Sequence, residues 1–231
     1  MFACAIALAS GIRTVDEPVE EIQIQYQNEC MRNTVGEKTI DRHERREKHR
    51  PEFNTLNVDR TDLDFCFWVG VTCRNGRIVG IAWNMSNHVS IQSLAWLPPS
   101  IERANITGKW IHTKLETHRL PKNIRHATFS SCGLHGSLEL RELPVRLEEL
   151  HLRRNKFTGE IRLTSLPPRM RIIDLERNKI TRAFVSNDRL PGSLEKVDLF
   201  NTKGPRLVCL DGKKADPRIH LYEQYIELMG F

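Results

Sequence analysis

With 231 residues, 39% of them hydrophobic and 28% charged, the chain is long enough for one domain with a sizeable core, which excludes disorder throughout. No run approaches the roughly eighteen apolar residues of a membrane-spanning helix. The 35 basic and 29 acidic residues leave a formal charge of +6, but only 7% of residues are aromatic and none interleave with basic runs, so a protein partner is expected ahead of nucleic acid.

In chain order, Met1 to Ser10 has the small-residue rhythm that precedes a signal-peptidase site, without a basic n-region. It reads as the tail of a signal peptide whose beginning is missing, and both a secreted or surface location and an intracellular one stay open. From Thr14 to Asn33 two periods mix: Val19, Ile22 and Tyr26 suit a helix face, whereas Ile22, Ile24 and Tyr26 alternate as in a strand. Glu37 to Arg50 holds six basic and four acidic residues around one aliphatic residue, as a solvated helix or linker would. His43 and His49 in that run have no apolar cage to make them metal ligands.

Beyond Asp62 a repeat dominates. Leu-Pro recurs at 97, 120, 143, 166 and 190, spacings of 23, 23, 23 and 24 residues. Apolar residues follow at the fourth, seventh and ninth positions after each leucine, as in Leu147, Leu150 and Leu152, in Met170, Ile173 and Leu175, and in Leu194, Val197 and Leu199. Two coils upstream, Ile101, Ala104 and Ile106 precede Ile124, Ala127 and Phe129, and Ile78, Ile81 and Trp83 form an earlier degenerate unit. The last two of each triplet lie two apart and so share one face of a short strand. Twelve positions after the leucine stand Cys132, Asn155, Asn178 and Thr202, where a carboxamide can bond the backbone of neighbouring coils as the chain turns away.

These residues resemble the leucine-rich repeat family, whose motif L-x-x-L-x-L-x-x-N/C-x-L is matched by Leu147 to Phe157 and by Met170 to Ile180, with the resemblance running from about Asp62 to Lys203. Leu134-His135-Gly136-Ser137-Leu138 and Phe157-Thr158-Gly159-Glu160-Ile161 look like the L-x-G-x-I segment of plant-type repeats, which implies a second short strand per coil. The Leu-Pro opening, with Leu-Thr-Ser-Leu-Pro at 163 to 167, is similar to plant-type repeats of kinetoplastids and algae. Cys66-Phe67-Trp68-Val69-Gly70-Val71-Thr72-Cys73 resembles the amino-terminal cap C-x-W-x-G-V-x-C of that subfamily. The resemblance implies a Cys66 to Cys73 disulfide with Trp68 on the first coil; a reduced, buried pair is the alternative.

The expected fold is therefore an α/β leucine-rich repeat solenoid of about six coils with short parallel strands on a concave face. Residues 1 to 61 form an extension, 62 to 204 the repeat domain with its cap, and 205 to 231 a carboxy-terminal cap. In that last segment Asp216 as N-cap, Pro217 at the first turn, and Ile219, Tyr222, Ile226 and Met229 on one face predict a helix.

No G-x-S-x-G, H-E-x-x-H, Walker-type or G-x-G-x-x-G segment occurs, and no enzyme activity, cofactor or metal is expected. His126, Cys132 and His135 could compose a Cys/His site, but repeat phase buries the thiol. Lys213 and Lys214 read as a solvated turn. The candidate binding residues flank the inward leucines: Arg103, Asn105, Thr107, His126, Thr128, Glu149, His151, Arg153, Asp174, Glu176, Arg177, Lys196 and Asp198. Arg153, Arg154, Lys156, Arg177 and Lys179 form a basic rim, which points to a partner with an acidic or polar surface. The family resemblance implies a non-enzymatic protein-interaction module; a secreted or surface recognition or inhibitor protein and a subunit of a ribonucleoprotein are the alternatives. The sequons at Asn84 and Asn105 permit glycosylation close to the concave strands, where a glycan would obstruct binding, which slightly disfavours the secretory case if that face is used.

Overall fold

The computed structural model describes residues 19 to 36, 38 to 40, 64 to 201 and 204 to 221. They form a β-solenoid of about six coils. The first sheet has the order β1 (Val71–Arg74), β2 (Arg77–Trp83), β3 (Arg103–Ile106), β4 (His126–Thr128), β6 (Glu149–His151), β8 (Ile172–Asp174), β10 (Lys196–Asp198) and β12 (Ile219–His220). All its pairings are parallel except β1 with β2. A second sheet is built from β5 (His135–Gly136), β7 (Lys156–Arg162), β9 (Lys179–Val185) and β11 (Arg206–Cys209). It gives a second strand to the coils of β4, β6, β8 and β10.

Every apolar triplet read from the repeat is buried, from Ile78, Ile81 and Trp83 to Leu194, Val197 and Leu199. In the first sheet Ile81, Ala104, Ala127, Leu150, Ile173, Val197 and Ile219 stand in register as one inward row. The second sheet adds Phe157, Ile161, Ile180, Ala183 and Val185 to the same core. Each of the larger of these side chains, Val, Leu, Ile, Met or Phe, contributes about 1.5 to 3 kcal/mol through its removal from water.

The third side of the coils holds short 3-10 turns at Leu94–Trp96, Thr117–Arg119, Leu140–Glu142 and Asn187–Arg189. Each stops at the leucine of a Leu-Pro pair, because the following proline forces that leucine into extended backbone. The proline carbonyl then accepts the amide three residues on, as Pro121 does from Ile124 and Pro144 from Leu147. The α/β expectation thus differs from what is seen: among the described residues of the coils no α-helix occurs, since a 23-residue coil that already makes two strands has room only for a 3-10 turn.

An α-helix precedes the coils instead, α1 (Val19–Val35), in the segment where helix and strand periods compete. Its buried positions, Gln27, Cys30, Met31, Thr34 and Val35, have helical spacing and face the first coils. The Gln27 carboxamide donates to the Gly76 carbonyl at 3.0 Å and accepts from the Ile78 amide at 2.6 Å. Gly36, at a φ of 76°, ends the helix by donating to Arg32. The segment set apart as an extension therefore contributes a helix to the core of the array. Of the charged run, Thr39 and Ile40 are buried, while His43, His49 and the stretch through Leu63 lie outside the described residues.

Cys66 and Cys73 are joined by a disulfide, their Cα atoms 5.7 Å apart, and Trp68 is buried with its ring 4.8 Å from that of Phe65. At the other end the expected helix does not start at Asp216. The Asp216 carboxylate accepts from the Arg218 amide and guanidinium, its carbonyl accepts from Ile219, and the chain then enters β12. The sheet imposes this: Val197 and Leu199 present amides at the edge of β10, and the carbonyls of Arg218 and His220 accept them. Tyr222, Ile226 and Met229 lie outside the described residues, as does Thr202.

The corner between the two sheets is held by Asn155 and Asn178. The Asn155 carboxamide oxygen accepts from the amides of Cys132 and Leu134 while its nitrogen donates to the carbonyls of Phe129 and Leu152. Asn178 repeats the pattern with Phe157, Leu152 and Leu175. Asn155→Ala and Asn178→Ala should each lower unfolding free energy in denaturant by about 1 to 3 kcal/mol, whereas exposed Arg182→Ala should stay within about 0.5 kcal/mol. Equal small effects from all three would show the corner to be held by something else. Gln27→Leu removes both Gln27 bonds to the β1–β2 hairpin, leaving that of Arg77 to Gln23, and should cost about 1 to 3 kcal/mol in the same assay; no loss would mean that the Gln27 bonds do not help to couple α1 to the array.

Candidate functional site

The outward face of the first sheet, the one expected from the sequence to be concave, presents side chains in rows fixed by the strand register. One row runs Arg103, His126, Glu149, Ile172 and Lys196; the next runs Asn105, Thr128, His151, Asp174, Asp198 and His220. Past the strand ends, backbone bonds such as Leu152 to Asp174, Arg154 to Glu176 and Arg177 to Phe200 continue the ladder. They align Arg153 with Glu176, and Thr107 enters the same region after β3 through its bond to the Trp83 carbonyl. Eleven of the candidate residues named from the sequence as concave are thus gathered on one face with Asn105. Arg177 is not among them: it is exposed, with a φ of 55°, at the turn between β8 and β9.

Electrostatically the face neutralises itself across coils. His126 Nδ1 lies 3.3 Å from Glu149 Oε2, and Arg171 Nη1 lies 3.2 Å from Glu149 Oε1. His151 stands between Glu149 at 3.7 Å and Asp174 at 3.9 Å. Arg153 contacts Glu176 at 3.0 Å, Lys196 contacts Asp198 at 2.8 Å, and His220 contacts Asp198 at 3.2 Å. The basic rim is therefore divided. Arg153 joins the concave ion pairs, whereas Lys156 and Lys179 fall on the outer side of the second sheet.

Asp174, Glu176 and Asp198 bring a carboxylate oxygen each within 4.8 Å of one another, the one such group among the described residues. Arg153 and Lys196 already meet part of their charge and the His220 ring contacts Asp198, so the group is a polar network built around ion pairs. Burial pushes the Glu176 carboxyl up from its ordinary range, with Asp174 and Asp198 adding to the rise and Arg153 opposing it. Asp174 accepting from the His151 ring raises that imidazole, with burial opposing and the charges of Asp174 and Glu149 adding.

His126, Cys132 and His135 do not converge. His126 is concave, His135 is exposed on the second sheet, and Cys132 is buried, its thiol donating to the carbonyls of Ile106 and Ser130. Burial raises that thiol, which leaves it a poor nucleophile. Lys213 pairs with Asp188 at 2.9 Å in an exposed turn. His220 and Ile172 are the concave residues that sequence reasoning missed: His220 was placed in a helix, and Ile172 is an apolar residue at an outward position.

No protein-family model matches the chain, and no curated protein matches it. Among solved structures the chain is similar to a plant ice-binding protein known from a crystal structure, with 15% identity and a TM-score of 0.32, over 64% of this chain and 79% of that one. At that TM-score the likeness carries no argument about function. No helix among the described residues is long and apolar enough to cross a membrane.

A raised imidazole pKa stabilises the fold fully below the ordinary histidine value near 6.5, and that stabilisation fades as pH rises through the folded-state value. Wild-type protein should therefore exceed His151→Gln in melting temperature at pH 5.5 and lose that margin toward pH 8.5. Parallel pH profiles for the two proteins would remove His151 from the network.

Proposed function

We propose that the chain is a leucine-rich-repeat-type binding module, without catalytic activity of its own, that docks a protein partner on the concave face. What supports the reading is the register-locked array of polar side chains from successive strands about 4.8 Å apart, a rigid surface whose rows need no ordering on binding. With Glu149, Asp174, Glu176 and Asp198 set against Arg103, Arg153 and Lys196, the face has little net field. The partner it suits is polar and matched in hydrogen bonding, rather than a strongly acidic one drawn by charge.

The cap disulfide favours a secreted or surface setting for this module, because such bonds persist in oxidising compartments. Asn105 and Thr128 lie in the central row and have no ion-pair role. Asn105→Arg with Thr128→Arg should weaken capture of the partner about tenfold or more with unfolding unchanged, a loss of the size expected at the centre of an interface. Wild-type capture by that variant would place the binding surface elsewhere.

A further inference from the structure

The second sheet carries a charge pattern unlike that of the concave face. Alternation turns Phe157 and Ile161 of β7 and Ile180, Ala183 and Val185 of β9 inward, and turns Lys156, Arg162, Lys179 and Arg182 outward. Arg206 stands beside Arg182 in β11, and Lys114 bridges to His135, which is itself beside Lys156. All six of these Lys and Arg residues are exposed.

The carboxylate standing among them on these strands is Glu160, 3.1 Å from Arg182. Glu139, beyond the end of β5, is held by Arg141 at 3.0 Å. Among the described residues Lys114, Lys156, Lys179 and Arg206 have no acidic partner. Arg154, exposed at a left-handed turn just before β7, extends the patch. Six cations against Glu160 and, at the edge near Arg162, Glu139 leave a net positive field along strands about 4.8 Å apart.

We propose that this face binds an acidic polysaccharide, a linear chain of sulfate or carboxylate groups, independently of the concave surface. Two observations choose that polyanion over single-stranded nucleic acid. The outward positions of these strands offer no stacking platform: Phe157 is buried, and Phe184 is half-buried beneath the Arg162 guanidinium, 4.7 Å from its ring centroid. The Cys66 to Cys73 disulfide belongs to an oxidising compartment, where sulfated and carboxylated glycans are the abundant linear polyanions and nucleic acids are not. Arg182 and Arg206 add planar guanidinium forks suited to sulfate or carboxylate oxygens.

The test uses the whole chain and a heparin-derived oligosaccharide of defined length, with binding followed as a function of salt. Wild-type affinity should fall linearly in logarithm with the logarithm of salt concentration. Lys156→Glu, Lys179→Glu and Arg206→Glu together should weaken binding by about tenfold or more and flatten that slope by about three counterions. Reversal of Arg189, Lys213 and Lys214 makes the same charge change away from the sheet and should weaken binding much less. Equal losses in the two triple variants would overturn the proposal in favour of non-specific net charge. Tighter binding of a duplex RNA of about 20 base pairs, or of phosphatidylserine vesicles, at the same salt would overturn it in favour of those partners. Asn105→Arg with Thr128→Arg should leave oligosaccharide binding intact, so failure of this proposal and failure of the concave-face reading are separable.

Discussion

The buried corner at which each coil passes from the first sheet to the second constrains everything built on it. There the backbone leaves one hydrogen-bonded ladder before entering the next, so its amides and carbonyls need partners away from water. Arg154 and Arg177 adopt left-handed backbone, with a φ of 56° and 55°, at a cost of about 1 to 2 kcal/mol each, and so turn the following asparagine inward. The Asn155 and Asn178 carboxamides then satisfy both their own coil and the preceding one. Because that corner recurs in the same form, the two sheets keep a fixed relation, and a residue's place in the repeat decides which face it serves.

Much of this was legible because periodicity is a local property repeated many times. The apolar triplets and the Leu-Pro punctuation each appear in several coils and the inward asparagine in two, so phase errors in one are corrected by the others. What was misread depends on non-local partners. Ile219 fits the apolar face of a helix as well as the inward row of a strand, and the unpaired amides on the edge of β10 decide between them. In α1 the buried stripe includes Gln27 and Thr34, polar residues whose burial is made tolerable by contacts with Gly76, Ile78 and the Cys30 carbonyl. Hydrophobic pattern alone cannot register such a stripe.

The division of the basic rim follows from the two-residue period of strands. The counterpart of Arg153 one coil later is Glu176, and that of Arg177 one coil earlier is Arg154, so the arginines of the rim occupy two different positions in the repeat. A shift of one residue moves a side chain from the concave face to the turn, and of three onto the outer side of the second sheet. Charge that looks pooled along the sequence is thus separated in space. The concave carboxylates find cations on the same or a neighbouring coil, while the second sheet keeps cations with little to oppose them.

That separation sets what each face can discriminate. On the concave side a partner would have to displace or join ion pairs that are already made, so association there would depend on matched hydrogen bonds and tolerate salt comparatively well. On the second sheet the cations are largely unopposed, so a polyanion bound there would be steered from a distance and its binding would be steeply salt-dependent. Both rest on the same inward rows, which begin at β2. There β1, the disulfide and the Gln27 bonds from α1 hold the first turn of the solenoid. Loosening that end would be felt first in the coil packed on it, because each strand pairs only with its neighbours, whereas a charge reversal on an exposed strand position acts on one face alone.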